Sequence, residues 1–269
     1  MLFHTLTFAA FLPVVWVLYW ATFRVRRLRL GVVLVASWTF YAAWDLRFLS
    51  LLVGSTALDY GCGLALARTQ DDRKRRRILA LSIAGNLGVL GMFKYYDFFA
   101  TSFAELVGGF GLQASPWTLG LLLPVGISFY TFQTLGTTID VYRRRIEPER
   151  DPIAYAAYVA FFPQLVAGPI ERAERLLPQL REPRVFAWRD QLDGICIFAV
   201  GLAQKVVIAD RLAPLVDQTF AAERGELVAA DVAIGAWAFA FQIFGDFSGY
   251  TDMAIGIALM FGVQLSDNS

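Results

Sequence analysis

Apolar runs separated by short charged connections dominate the chain. Five of them, residues 6–23, 30–44, 48–67, 78–93 and 119–139, carry at most one ionisable side chain each. Each is near the length that ~30 Å of hydrocarbon requires at ~1.5 Å rise per residue, so the pattern predicts membrane-spanning helices. No basic segment precedes the first run and no small-residue cleavage pattern follows it. It therefore reads as a retained span and not as a signal peptide.

Beyond residue 140 the pattern changes. Residues 154–170 are apolar, but Pro163 and the Gly168-Pro169 pair interrupt any continuous helix. A further crossing is predicted over 192–208, with Lys205 near one end snorkelling to the interface. The connection that follows holds Asp217, Glu223, Glu226 and Asp231 and suits an outer loop. As one helix, residues 228–263 would extend about 54 Å, more than a straight span needs. A bend or break is expected at Gly245 and Gly249.

Charge gives these runs an orientation. Arg24, Arg26, Arg27 and Arg29 follow the first run, Arg68 and the stretch from Arg73 to Arg77 the third, and Arg143, Arg144, Arg145 and Arg150 the fifth. The second and fourth connections carry one basic residue each. Under the positive-inside rule the odd connections are cytoplasmic and the N-terminus is extracytoplasmic. Residues 154–170 have basic flanks on both sides, with Arg172, Arg175, Arg181, Arg184 and Arg189 following. Two readings fit that pattern: a hairpin that enters and leaves from the cytoplasmic side, or an interfacial helix lying flat. Non-helical backbone at membrane depth is tolerated only where protein or a water-filled cavity satisfies it.

Composition narrows the class. With 57% hydrophobic and 17% charged residues, a disordered chain, a disulfide scaffold and a soluble globular enzyme are excluded. An all-α polytopic membrane protein is left, with a single transmembrane domain over 1–269. A net charge of +1 offers no electrostatic case for nucleic acid. Cys62 and Cys196 lie far apart in apolar runs and read as small buried hydrophobes. No CxxC or Cys/His cluster is present, so no zinc site of the usual kind is expected.

Polar side chains inside apolar runs are costly and point to function. Tyr130, Gln133, Thr137 and Asp140 are spaced three, four and three apart and form a polar stripe on one helical face. The stripe either lines a cavity or serves helix–helix hydrogen bonding, with Asp140 paired to Arg143 or Arg144. Gln242, Asp246 and Tyr250 fall at i, i+4 and i+8, and Ser248 and Asp252 form a second i, i+4 pair. Two carboxylates so placed must line a cavity, pair with cations or be protonated. Gly245 and Gly249 also match a small-residue packing motif. His4, the single histidine, precedes the first span with no partner nearby in sequence and is expected to face solvent without a catalytic role.

Several strings carry a family likeness. Leu-Pro-Val-Gly-Ile-Ser-Phe-Tyr-Thr-Phe-Gln at 123–133, leading to Ile-Asp-Val-Tyr at 139–142, resembles the membrane-bound O-acyltransferase family, nearest its bacterial alginate O-acetylase and D-alanyl-transfer branches. In the same order, Phe-Phe-Pro-Gln-Leu-Val-Ala-Gly-Pro-Ile at 161–170 (which contains Gln164), Lys-Val-Val-Ile-Ala-Asp at 205–210 and Asp-Phe-Ser-Gly-Tyr-Thr-Asp-Met-Ala-Ile-Gly at 246–256 are similar to that branch. So is Gly-Met-Phe-Lys-Tyr-Tyr-Asp-Phe at 91–98. The resemblance implies a many-helix fold around a tunnel in the bacterial inner membrane. It also implies acyl transfer from a cytoplasmic thioester, acetyl-CoA or a carrier-protein thioester, to a hydroxyl of an extracytoplasmic polysaccharide, helped by an extracytoplasmic partner enzyme. No bound cofactor is implied. Tyr130, Gln133, Asp140, Gln164, Gln242, Asp246, Ser248, Tyr250 and Asp252 would line or support the tunnel.

The family's essential histidine lies some tens of residues after the Asp-Phe-Ser-Gly-Tyr string. Because Ser269 comes first, the chain is expected to be an N-terminal portion, inactive alone. A transporter or flippase, suggested by broken helices and midplane carboxylates, and a non-catalytic scaffold subunit of a polysaccharide export complex are the alternatives.

Overall fold

The computed structural model describes residues 1–109, 118, 120, 124–166, 168–222 and 228–266. Among these, helix follows helix and no strand forms: α1 (Leu6–Ala21), α2 (Arg26–Ala42), α3 (Leu46–Arg68), α4 (Asp72–Lys94), α5 (Tyr96–Gly109), α6 (Ile127–Tyr142), α7 (Pro152–Ala160), α8 (Phe162–Leu165), α9 (Ala173–Arg181), α10 (Trp188–Ala203), α11 (Asp210–Ala221) and α12 (Ala229–Met260). A π-helical turn, Gln204–Ala209, joins α10 to α11 into one rod. Helices α3 and α4, this rod and α12 are long and apolar enough to cross a membrane, and α1 is a shorter apolar helix. The chain is an integral membrane protein of the all-α class.

Local chemistry explains where the helices start. Asp45, Asp71 and Asp151 each accept a hydrogen bond from a backbone N–H in the first turn of α3, α4 and α7, which satisfies donors that have no intrahelical partner. Hydrogen bonds from Arg47 also hold the half-buried Asp45 carboxyl below the usual carboxylate range. Gly126, before α6, has φ 76°, and a Cβ there would sit 2.3 Å from the Leu165 carbonyl oxygen. Only glycine fits this left-handed, crowded position. The run expected over 119–139 thus becomes a helix only from Ile127, and 119 and 121–123 lie outside the described residues.

Many of the basic residues expected in connections lie inside helices. Arg26, Arg27 and Arg29 belong to α2, and the stretch from Arg73 to Arg77 belongs to α4. Two of them are buried: Arg29 donates to the carbonyls of Phe23, Leu180 and Glu182. Arg75 donates to those of Leu66, Thr69, Val141 and Tyr142. A planar guanidinium with five donors can collect the unpaired last carbonyls of two helices at once. Together with the Arg26–Asp151 and Arg181–Glu149 ion pairs and the Arg144–Gln70 hydrogen bond, these contacts gather the basic segments at one end of the bundle. Trp16 Nε1 on Gln191 and Trp20 Nε1 on the Met260 carbonyl bring the start of α10 and the end of α12 towards the same end.

The 154–170 stretch is split at Phe161 into α7 and the single turn α8. Its residues from Ala157 to Leu165 are all buried within protein, which is the setting in which broken backbone is tolerated at membrane depth. By contrast, α12 runs unbroken for 32 residues, so the break expected at Gly245 and Gly249 is absent. Those glycines serve close packing instead. A Cβ on Gly249 would lie 2.7 Å from the Gly201 carbonyl oxygen, and one on Gly256 would lie 2.5 Å from that of Gly194. The irregular turn falls in the partner rod, at 204–209. Asp217 is in α11 and not in a loop. Glu223 and Glu226 lie outside the described residues. Cys62 is buried, but Cys196 is exposed on the apolar surface of α10, and both are free.

Candidate functional site

Among the described residues, two polar groups gather the side chains that the sequence singles out, and these two are separate. The first is at the basic end, where α6, α7 and α8 meet. Gln133 Nε2 and Gln164 Nε2 both donate to the Tyr158 carbonyl, at 3.2 and 3.0 Å. The Tyr158 hydroxyl lies 3.1 Å from Thr137 Oγ1 and donates to the Glu171 carbonyl at 3.1 Å. The break between α7 and α8 makes this possible, because it turns Gln164 back towards a carbonyl six residues earlier. Tyr130 is buried one turn before Gln133, its ring edge-on to Tyr41, whose hydroxyl donates to the Val125 carbonyl.

A cavity of about 300 Å³ opens beside this node, lined by Gln133, Thr137, Asp140, Tyr158, Glu171, Arg143, Arg145 and Arg172 among others. Asp140 pairs with Arg145 at 3.7 Å. This corrects the expected pairing with Arg143 or Arg144: the chain turns left-handed at Arg144 (φ 59°) after α6 and brings Arg145 back over the helix end. Arg144 instead bonds Gln70. A second cavity, of about 460 Å³, shares Arg145 and Ala173 with the first and adds Arg150 and Arg181 together with Glu147, Glu149 and Glu174. The first cavity therefore sets three arginines against Asp140 and Glu171, beside the neutral polar wall of Gln133, Thr137 and Tyr158.

The second group lies on the π turn and α12. Lys205 Nζ sits 2.8 Å from Asp210 Oδ1 and 2.6 Å from Asp246 Oδ1, and 5.8 Å from the centre of the Tyr250 ring. The lysine side chain is 13% exposed, so it is held between two carboxylates and does not snorkel as expected. The π turn is what sets it there, since local π-helix re-aims side chains relative to the flanking α-helix. The Tyr250 hydroxyl is 2.9 Å from His4 Nδ1. His4 is thus half-buried against α12, which corrects the expectation that it faces solvent without a partner; its partner is 246 residues away in sequence. Gln242, Ser248 and Asp252 are half-buried on the same helix, and the Asp252 Cβ packs where any side chain on Gly201 would intrude. An aromatic hub of Phe8, Phe40, Phe162 and Phe261 stands near the interior of the bundle, with Phe162 touching the other three.

Some polar residues escape a reading of the sequence. Asp59, buried inside α3, accepts from Ser82 Oγ, from Asn86 Nδ2 at 2.8 Å and from Thr138 Oγ1 at 3.2 Å. It lies within the third apolar run and was detectable by the rule that flagged Asp246. Tyr158 and Glu171 carry no such signal, because a tyrosine in an apolar run and a glutamate beside arginines are both ordinary. Among the described residues no group of three His, Cys, Asp or Glu side chains is placed to hold a metal ion.

A model of the membrane-bound O-acyltransferase family matches residues 149–268. This covers the α7–α8 break, Gln164, the lysine-bearing π turn and α12. The chain belongs to the membrane-bound O-acyltransferase family. Among curated proteins it is 41% identical over 260 residues to "Probable alginate O-acetylase AlgI" of Pseudomonas aeruginosa, covering 96% of this chain and 49% of that protein. A protein of the same name from Azotobacter vinelandii is 38% identical over 262 residues, 96% of this chain and 51% of the relative. "Peptidoglycan O-acetyltransferase" of Helicobacter pylori is 36% identical over 264 residues, 87% of this chain and 48% of the relative. The chain spans about half the length of these curated relatives.

Proposed function

We propose that this chain forms the donor-side part of an O-acetyltransferase of the bacterial inner membrane. It would work on hydroxyl groups of an extracytoplasmic polysaccharide, such as an alginate-like or cell-wall polymer. Its donor would be a cytoplasmic thioester, acetyl-CoA or an acyl carrier protein. The observation that carries the reading is the arginine-rich cavity leading to the buried Gln133–Tyr158–Gln164 node. Both donors bear phosphate, for which guanidinium groups are suited partners, and the amide donors behind them offer neutral groups to position a carbonyl. The names of the relatives, which act on alginate and on peptidoglycan, support a polymeric hydroxyl as acceptor.

In this reading the acceptor oxygen forms the new ester bond as the C–S bond breaks. The thiolate leaves and a general base takes the hydroxyl proton. The base is assigned to a histidine outside residues 1–269, because His4 is bonded to Tyr250 and does not line the arginine-rich cavity. The gathering of arginines at one end supports a cytoplasmic placement of that end and an extracytoplasmic N-terminus. An extracytoplasmic transfer partner belongs to the same proposal. The transporter alternative keeps the break at Phe161 and loses only the one expected in α12.

The test is acetyl transfer from labelled acetyl-CoA or acyl carrier protein to polysaccharide by the full-length protein with its partner. Arg143→Ala combined with Arg172→Ala is expected to raise the donor KM about tenfold or more, with a smaller change in kcat. Unchanged kinetics would remove the donor site from this cavity. Transfer by the 269-residue chain alone would sink the assignment of the base, and no transfer by the full-length protein would favour the scaffold alternative.

A further inference from the structure

An apolar pocket of about 320 Å³ opens between α2, α3 and α7, apart from both polar groups. Val53, Thr56 and Tyr60 of α3 and Leu34 and Trp38 of α2 line it, and Ile153 of α7 stands at one end. Thr56 Oγ1 donates to the Leu52 carbonyl and the Tyr60 hydroxyl to the Arg150 carbonyl. The buried Tyr155 hydroxyl of α7 is the one buried side-chain group in the lining left without a partner. A single hydroxyl is fewer than the two to four partners a buried water takes, and an empty hollow forfeits dispersion contacts along its whole lining. At hydrocarbon depth the available filler is a lipid acyl chain.

The charge at one end of the pocket selects among lipids. Pro152 and Ile153 follow Asp151, which is paired with Arg26 at 2.9 Å. Arg24, Arg27 and Arg150 are exposed nearby in the chain, and Tyr60 ties Arg150 to the pocket wall. Arg24, Arg26, Arg27 and Arg150 outnumber Asp151 and Glu149, the latter paired with Arg181, so this rim is positive. Leu34 and Trp38 lie about 12 and 18 Å along α2 from Arg26. That span matches roughly one leaflet of a ~30 Å hydrocarbon core.

We propose that this pocket binds one acyl chain of an anionic phospholipid, with the lipid phosphate at the Arg26 and Arg150 rim. Basic rims over intramembrane grooves on the cytoplasmic side are suited to anionic headgroups. The site is independent of the acyl-transfer reading.

Native mass spectrometry of the delipidated full-length protein tests it, with phosphatidylglycerol and phosphatidylcholine of identical chains as probes. Phosphatidylglycerol is expected to be retained with roughly tenfold preference. Arg26→Gln with Arg150→Gln should abolish that preference, and Ala57→Phe, which fills the pocket, should abolish retention of the lipid. Because Ala57→Phe can also disturb helix packing, phosphatidylglycerol carrying a diazirine on its acyl chain maps the site in the unaltered protein. Crosslinks to Trp38 or Val53 support the proposal. Equal retention of the two lipids, wild-type retention by a folded Ala57→Phe variant, or crosslinks confined to other helices would each overturn it.

Discussion

The polar groups around Tyr158 and around Lys205 solve one problem, polar atoms among apolar helices, in opposite ways. Around Tyr158 the partners are neutral: two amides, two hydroxyls and two carbonyls from α6, α7, α8 and residue 171. Around Lys205 the partners are charged, with one cation between two carboxylates that are 42–44% exposed. A neutral node can be fully buried at modest cost, because each bond needs only a partner. A charged cluster must keep contact with a polar surrounding or be matched charge for charge. The contrast teaches why the broken segment lies deep in protein while the lysine cluster stays half-open.

Deleting a charge should therefore cost more than deleting a hydrogen bond. Lys205→Met leaves two carboxylates facing each other and is expected to destabilise by about 2 kcal/mol, read as a lowered midpoint in thermal or denaturant unfolding. The cost is less than for a fully buried pair because water screens the half-exposed carboxylates. Adding Asp246→Asn to it should recover part of that loss. A double-mutant cycle showing no coupling would mean that the ion pair contributes nothing.

The neutral node makes a smaller and differently shaped prediction. Tyr158→Phe removes the link to Thr137 and to the Glu171 carbonyl and should cost about 1–2 kcal/mol. Gln133 and Gln164 share one acceptor, so either alanine variant alone should be mild, and the double variant should exceed their sum by roughly 0.5 kcal/mol or more. Strict additivity would show that the shared carbonyl is not the reason for the node. The smallest effect is expected for Tyr250→Phe, which removes only the half-buried bond to His4, at about 0.5–1 kcal/mol. A loss as large as that of Lys205→Met would mean that His4 belongs to the charged cluster and does not merely cap it.

Legibility in the sequence followed the range of the interaction. The runs over 48–67 and 78–93 appear as α3 and α4 nearly as read, since apolar length and aspartate caps act locally. The polar stripe of α6 was visible from spacing, and Gln133 and Thr137 do share a partner. That partner, Tyr158, comes from a buried segment with no pattern of its own. The glycines of α12 read both as a bend or break and as a packing motif; no break forms, and the packing reading holds. Spacing shows that small residues share a face, and only a facing helix with Gly194 and Gly201 reveals close packing. His4 shows the limit most sharply, because no local rule links it to Tyr250.

The sequence by itself determined the class of this protein: apolar runs of spanning length, arginines at one set of ends, and strings that resemble one acyltransferase family. These are properties of single segments, set by transfer of side chains out of water and by charge near a membrane face. Only the tertiary structure decided which polar groups meet. It buried Arg29 and Arg75 on the carbonyl ends of other helices, split the polar residues into a neutral node and a charged cluster, and kept α12 unbroken while the irregular turn fell in its partner. The physical reason is that a polar atom removed from water must find a partner, and where that partner lies depends on how the helices pack.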